Sequence, residues 1–254
     1  MFAIRPQPPR DFLSIAHRGA SSYAPENTVE AFDLALQMGA VHLELDVHLS
    51  CDEHLVVIHD DTLERTTNGA GPVAAQTLKT LQALDAGSWF GEAFAGARIP
   101  TLLEVLERYR GRAYLHLELK GYTAHLPQRT VDLVRAYGIV QQVTFTSFQQ
   151  AHLQTMKSYA PALPTGWLVG EISEAVVVQA QALGCRQLCP RAPLVTPELV
   201  QRLHAEGFVV RAWGVANEAL MQQVVAAGAD GMTVNFPDKL LAYLASRGGP
   251  TGAA

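Results

Sequence analysis

Polar and apolar residues alternate with a period of two in "VHLELDVHL" (residues 41–49). Val41, Leu43, Leu45, Val47 and Leu49 share one face of a strand, and His42, Glu44, Asp46 and His48 share the other. "AYLHLELK" (residues 113–120) repeats the pattern, with Leu115, Leu117 and Leu119 opposed to His116, Glu118 and Lys120. Further short β-rich runs follow along the chain: "FLSIAH", "LVVIH", "QVTFTSF", "TGWLV", "CRQLCP", "FVVRAW" and "GMTVN". Between most of them the apolar spacing changes to that of an amphipathic helix, over residues 28–38, 101–109, 129–137, 148–159, 171–183, 197–206 and 218–227. Strand, helix and strand in repeated succession predict parallel pairing through helical crossovers. In a chain of 254 residues about eight such units predict a closed (β/α)8 barrel. An open doubly wound sheet would show a similar rhythm, but "GAGP" (residues 69–72) is too short and misplaced for a dinucleotide loop.

Helix punctuation agrees with these boundaries. Gly39, Gly138, Gly184, Gly207 and Gly228 each fall just beyond a helical segment. Thr196, Pro197 and Glu198 supply a cap, a first-turn proline and a first-turn acid. Residues 60–100 break the rhythm, because they exceed what a βα connection needs and hold one modest helical piece at 78–84. They are expected to form an insertion over the barrel mouth within a single domain spanning residues 1–254.

Composition narrows the partners. Hydrophobic residues make up 48% of the chain and charged ones 17%, which suffices for a large core, and the net charge of −5 offers no basic surface for nucleic acid or anionic lipid. Cys51, Cys185 and Cys189 lack both framework and zinc-site spacing, which suits a reducing compartment. No secretory leader and no run of about 20 apolar residues is expected, so the chain reads as cytoplasmic and not inserted in a membrane. Oligomeric state stays open.

In a barrel the leucine faces pack against the helices and the opposite faces look inward, so Glu44, Asp46 and Glu118 converge. Three close carboxylates repel unless a cation holds them. Oxygen ligands without a thiolate suit Mg2+ or Ca2+, with Mn2+ as a third option. His17 ends the first strand run and His59 follows "LVVI", which makes the two a candidate acid and base pair. Arg18 and Lys120 add positive charge, so the site calls for an anion. This combination suits phosphoryl transfer on a phosphodiester. Acyl hydrolysis is disfavoured, because no G-x-S-x-G is present.

With these residues the chain resembles the glycerophosphodiester phosphodiesterase family of the bacterial, cytoplasmic type. The similar blocks, in the family's order, are "HRGASSYAPENTVEAF" (17–32), "LELDVHLSCDEHLVVIHDDTLERTTNGAG" (43–71), "IPTLLEVL" (99–106), "LELK" (117–120), "TFTSF" (144–148) and "GADGMTVNFPDKL" (228–240). The resemblance implies a (β/α)8 barrel with a small insertion after the second strand. It implies a divalent metal on Glu44, Asp46 and Glu118, catalysis by His17 and His59, and phosphate binding by Arg18 and Lys120. By resemblance Glu26 and Asn27 support the site, and Trp213 and Phe148 shape the glycerol side of the pocket. The residues alone also allow Asn27 as a helix N-cap and Phe148 as barrel packing. The implied reaction cleaves glycerophosphocholine, glycerophosphoethanolamine and similar diesters to sn-glycerol 3-phosphate and an alcohol. A barrel phospholipase D or lyase acting on lipid head groups, or a barrel that only binds, is the alternative. Two departures from the family pattern stand out: Asn235 where Thr-Asp is common, and a turn at Asp52, Glu53 and His54 without its usual glycine.

Overall fold

The computed structural model describes residues 12–248. In chain order the elements are β1 (Leu13–His17), α1 (Val29–Gln37), β2 (His42–Leu49), β3 (Leu55–Val57), α2 (Leu78–Gln82), α3 (Leu102–Tyr109), β4 (Tyr114–Leu119), α4 (Leu126–Ala136), β5 (Val143–Ser147), α5 (Gln150–Tyr159), β6 (Thr165–Val169), α6 (Glu174–Ala182), β7 (Gln187–Pro190), α7 (Pro197–Ala205), β8 (Val209–Ala212), α8 (Glu218–Ala226), β9 (Gly231–Val234) and α9 (Pro237–Gly248). Eight parallel strands run in the order β1, β2, β4, β5, β6, β7, β8, β9, and β9 pairs back onto β1. The (β/α)8 barrel is therefore closed, as the rhythm of the chain predicts. Among the described residues no helix is long and apolar enough to cross a membrane.

"LVVIH" departs from the repeating pattern. Its strand, β3, folds back antiparallel onto β2, with Val47 opposite Val57. The turn is closed by Ser50 and His54, and Glu53 takes a positive φ of 66° without being glycine. His125 donates to the Glu53 carboxylate and Arg129 to its carbonyl. Residues 60–100 follow this hairpin. Their apolar side chains, Leu63, Val73, Leu81, Ala86 and Ile99, bury themselves together with Val56 and Ile58 in a small core of their own.

Residue pattern explains most boundaries. Threonine or serine caps start α1, α3, α6 and α7, each accepting from a backbone N–H three residues on. Thr101 and Glu104 complete a reciprocal capping box. The five glycines expected after helices all take positive φ. Two starts move by three residues: α4 begins at Leu126 and not at 129, and α6 begins at Glu174, behind the cap Ser173, and not at 171.

Outward strand faces hold the barrel to its helices. Leu43, Leu45, Val47, Leu115, Leu117 and Leu119 pack with Phe32, Leu102, Leu106 and Val131, each full burial contributing roughly 1.5–3 kcal/mol. The inward faces are mostly polar, with Glu44, Asp46, His116, Glu118, Thr146, Gln187 and Arg211 all buried. Barrels ordinarily fill this space with branched aliphatic layers. Here only a few apolar side chains, such as Ile15 and Leu168, remain for the inward positions.

Strand register brings the ends together. His17 sits beside Glu44, and Asp46 beside Glu118. After His17 the chain must turn sharply under α1, and Gly19 makes this possible. Its φ is +84°, and an added Cβ would lie 2.6–2.7 Å from the backbone and Cβ of Ala31. Gly19→Ala should therefore destabilise the protein by roughly 2–4 kcal/mol, combining left-handed strain with overpacking. Urea unfolding checks this, and a midpoint equal to wild type would show that the first loop tolerates a side chain there.

Candidate active site

Three carboxylates form the centre, two from the middle of β2 and one from the C-terminal end of β4. Glu44, Asp46 and Glu118 are buried, and one oxygen from each lies within 4.8 Å of the others. Each has one oxygen tied to the protein. Glu44 Oε2 accepts from the Arg18 backbone N–H at 3.1 Å, Asp46 Oδ2 from Asn27 Nδ2 at 2.8 Å, and Glu118 Oε1 from Lys120 Nζ at 3.1 Å. Glu44 Oε1 and Asp46 Oδ1 are buried with no hydrogen-bond partner among the described residues. Unpaired buried carboxylate oxygens facing a third acid are a donor set that fits a hard divalent cation.

Electrostatics agrees with this assignment. Burial, then Asp46 and Glu118, raise the Glu44 carboxyl well above its usual range. Burial and Asp46 push Glu118 up to about 7 against the pull of Lys120. Asp46 is itself held low, because Arg18, His59, Lys120 and the Asn27 bond outweigh its burial. Without a cation the cluster thus carries fewer than three charges near neutral pH.

Both histidines stand at this mouth with Nδ1 already engaged. His17 Nδ1 donates to Asn235 Oδ1 at 2.6 Å, and its Nε2 is 3.9 Å from Glu44 Oε2. Burial and the adjacent Arg18 lower its pKa to about 4. His59 Nδ1 donates to Asp60 Oδ1 at 2.5 Å.

Arg18 adopts a positive φ of 56°. This turns its guanidinium between two acids, with Nη1 donating to Glu26 Oε1 at 2.8 Å and Nε lying 3.2 Å from Asp46 Oδ2. Glu26 is shared with Arg65, whose Nη1 and Nη2 donate to its two oxygens at 2.8 Å each. On the far side Lys120 Nζ lies 5.4 Å from the centre of the Phe148 ring. Phe148 meets Trp213 edge-on at 4.9 Å, and Trp213 Nε1 donates to the Val169 carbonyl. The sequence-predicted residues His17, Arg18, Glu26, Asn27, Glu44, Asp46, His59, Glu118, Lys120, Phe148 and Trp213 thus form one connected cluster.

Comparison with known proteins supplies the family. The glycerophosphoryl diester phosphodiesterase family profile covers residues 17–239. A glycerophosphodiester phosphodiesterase from Caldanaerobacter subterraneus is 38% identical over 245 residues, spanning 93% of this chain and 99% of the relative. The chain belongs to the glycerophosphoryl diester phosphodiesterase family. Among solved structures, the glycerophosphodiester phosphodiesterase from Agrobacterium tumefaciens superposes with a TM-score of 0.81 at 34% identity, covering 90% of this chain and 98% of that one. A phosphodiesterase from Oleispira antarctica, solved with the product sn-glycerol-3-phosphate, gives 0.83 at 33% identity, covering 91% and 96%. The activity that goes with this membership is glycerophosphodiester phosphodiesterase.

The chain's own geometry decides two readings that the residues left open. Asn27 is not a helix cap. Thr28 caps α1, while Asn27, at φ +58°, donates to Asp46 Oδ2 and accepts the Asp46 backbone N–H at 3.3 Å. Phe148 is not barrel packing either, since it is 41% exposed at the mouth against Trp213. Cys185 and Cys189 are buried and unpaired, and Cys51 is exposed. In the sequence Asp60 and Arg65 carry no role and Asn235 is only a departure from the family pattern, although all three touch the site. Their signal was position alone: an acid next to His59, an arginine in the same block, and an amide after the last strand.

A pH dependence follows from Glu118. Its folded value of about 7 exceeds its ordinary 4.5, so the cation-free native state holds a proton that the unfolded chain releases. That contribution to stability is fully present at low pH and is lost as pH rises through about 7. Buried histidines such as His17 and His42, both lowered to about 4, tilt stability the other way at acid pH, so the Glu118 contribution is read as the difference in melting temperature between wild type and Glu118→Gln in EDTA, which should fall between about pH 5 and about pH 8. Calorimetry in buffers of different ionisation enthalpy should show protons released on cation binding at about pH 6. Binding without proton release would show that the acids are already ionised.

Proposed function

We propose that this phosphodiesterase hydrolyses water-soluble glycerophosphodiesters, with glycerophosphocholine and glycerophosphoethanolamine as representative substrates, to sn-glycerol 3-phosphate and the free alcohol. One divalent cation, Mg2+ or Ca2+ with Mn2+ as a third option, would be held by Glu44, Asp46 and Glu118. Bound there, it would polarise the phosphate and the glycerol hydroxyl. The observation that carries this reading is the pair of unpartnered carboxylate oxygens on Glu44 and Asp46, flanked by two histidines whose Nδ1 atoms are occupied. The Oleispira antarctica relative holds the product that the reading requires.

The side chains divide the work. With Nδ1 of each histidine committed, Nε2 of each is the nitrogen free to exchange a proton with substrate. One takes the proton of the glycerol 2-hydroxyl, and the other gives a proton to the departing alcohol. Attack by that hydroxyl would give a cyclic phosphate, which water then opens. Lys120 contributes a point charge to the phosphate, and Arg18 reaches it from between Glu26 and Asp46. Trp213 and Phe148 form an apolar wall for the glycerol carbons. Glu26 and Asn27 support the site through Arg18 and Asp46 and not by touching substrate. Deacylated, soluble substrates fit a cytoplasmic enzyme.

Release of sn-glycerol 3-phosphate from glycerophosphocholine and glycerophosphoethanolamine, followed by a coupled dehydrogenase, should vanish after EDTA and return with one of the three cations. His17→Ala and His59→Ala should each lower kcat by roughly 10²- to 10⁴-fold with an unchanged far-UV spectrum. A variant that keeps wild-type turnover removes that histidine from the chemistry. A folded wild-type protein that stays inactive with every cation overturns the substrate assignment.

A further inference from the structure

Asp60 and Arg65 come from the segment that follows β3 and belong to no expected role, yet Asp60 touches a site histidine directly and Arg65 holds Asp60. Asp60 Oδ1 accepts from His59 Nδ1 at 2.5 Å. A carboxylate on the adjacent residue would ordinarily be a loose surface contact, worth little because its rotamers are free. Here it is not free. Arg65 grips it with two bonds, from Nε to Oδ2 at 2.6 Å and from Nη2 to Oδ1 at 2.9 Å. Paired bonds of this kind fix the orientation of a carboxylate as well as its charge.

Arg65 is itself anchored. The other edge of its guanidinium donates twice to Glu26, and Glu26 also accepts from Arg18, which lies against Asp46. An uninterrupted run of alternating charge therefore connects Asp46 to His59 through Arg18, Glu26, Arg65 and Asp60. A neutral imidazole has one N–H, and the partner on one nitrogen decides which nitrogen carries it. With Nδ1–H given to a carboxylate, the lone pair stays on Nε2, and the ring plane is set by an acid that cannot rotate away. His17 has the same arrangement with a neutral partner, Asn235. The two histidines thus differ in the charge behind them.

We propose that Asp60, clamped by Arg65, is a positioning residue for His59: it fixes the Nδ1–H tautomer and aims Nε2 into the cleft. Arg65 holds the Asp60 carboxyl far below the usual carboxylate range, first through its side-chain bonds, so Asp60 remains an acceptor and leaves the proton on the imidazole. The role rests on the reading of His59 as a proton-transfer group. The test separates the two.

His59→Ala, Asp60→Ala and Asp60→Asn are assayed on glycerophosphocholine with the activating cation. Protein carrying 15N-labelled histidine is then examined by NMR above the histidine titration range, with the His59 signals assigned by their loss in His59→Ala. Asp60→Ala should lower kcat by roughly 10- to 100-fold, as partners behind metal-site histidines do, with KM within about threefold, because substrate contacts are untouched. Its His59 signals should shift from the Nδ1–H pattern toward Nε2–H. Asp60→Asn keeps the shape and an acceptor oxygen, so it should fall between wild type and Asp60→Ala; it also serves as the readout if Asp60→Ala does not fold. Wild-type kcat in the Asp60 variants, or lost turnover with His59 signals unchanged, overturns the positioning role. Wild-type turnover in His59→Ala instead overturns the assignment of His59 itself.

Discussion

Mutual repulsion among Glu44, Asp46 and Glu118, gathered within 4.8 Å inside the barrel, is the constraint around which the rest of the mouth is arranged. Buried charges of one sign are tolerable only with compensating charge or with protons taken up. This protein uses both. Arg18 and Lys120 lie against the acids from the mouth. From across the barrel, Arg211 acts on Glu44 in the same direction, as a guanidinium only 1% exposed whose Nε and Nη1 have no hydrogen-bond partner among the described residues. Asn27 adds neutral bonds to Asp46 from a left-handed backbone conformation that few residues accept.

Such a polar interior contributes little to stability, and the outward strand faces offset it. The leucines and valines of β2 and β4 bury against α1, α3 and α4, so the same two strands hold the barrel together on one side and carry the acids on the other. Alternation along a strand makes this separation possible. A shift of one residue in register would send the acids into the helix layer and the leucines into the mouth. Stability and chemistry are thus bound to a single register.

That alternation is also why so much was legible in the sequence. The inward placement of Glu44, Asp46 and Glu118 follows from period two, and the closed barrel follows from the repeated change between strand and helix spacing. What was not legible lies in contacts between distant residues or in local backbone choice. "LVVIH" has strand composition, but nothing in it says that it folds back on β2 instead of becoming a barrel strand. Asn27 precedes a helix and reads as a cap, yet the adjacent Thr28 takes that role and frees Asn27 to reach Asp46. Arg65 meets Glu26 across 39 positions. Asp60 is adjacent to His59, but only the clamp from Arg65 distinguishes it from an ordinary surface acid.

His17 and its partner Asn235 are 218 positions apart, one on the first strand and one just past the last, meeting where β9 closes onto β1. A ribosome making this chain delivers the acids and both histidines long before Asn235, the hydrogen-bond partner of His17. At roughly 5–20 residues per second the interval between Glu118 and Asn235 is on the order of ten seconds. During that time the first strands can pair, but the ring cannot close. The nascent chain consequently carries an open sheet edge on β1, which invites wrong partners. Completion of His17's surroundings and disappearance of that edge are the same event, because Asn235 follows directly on the strand that pairs with β1.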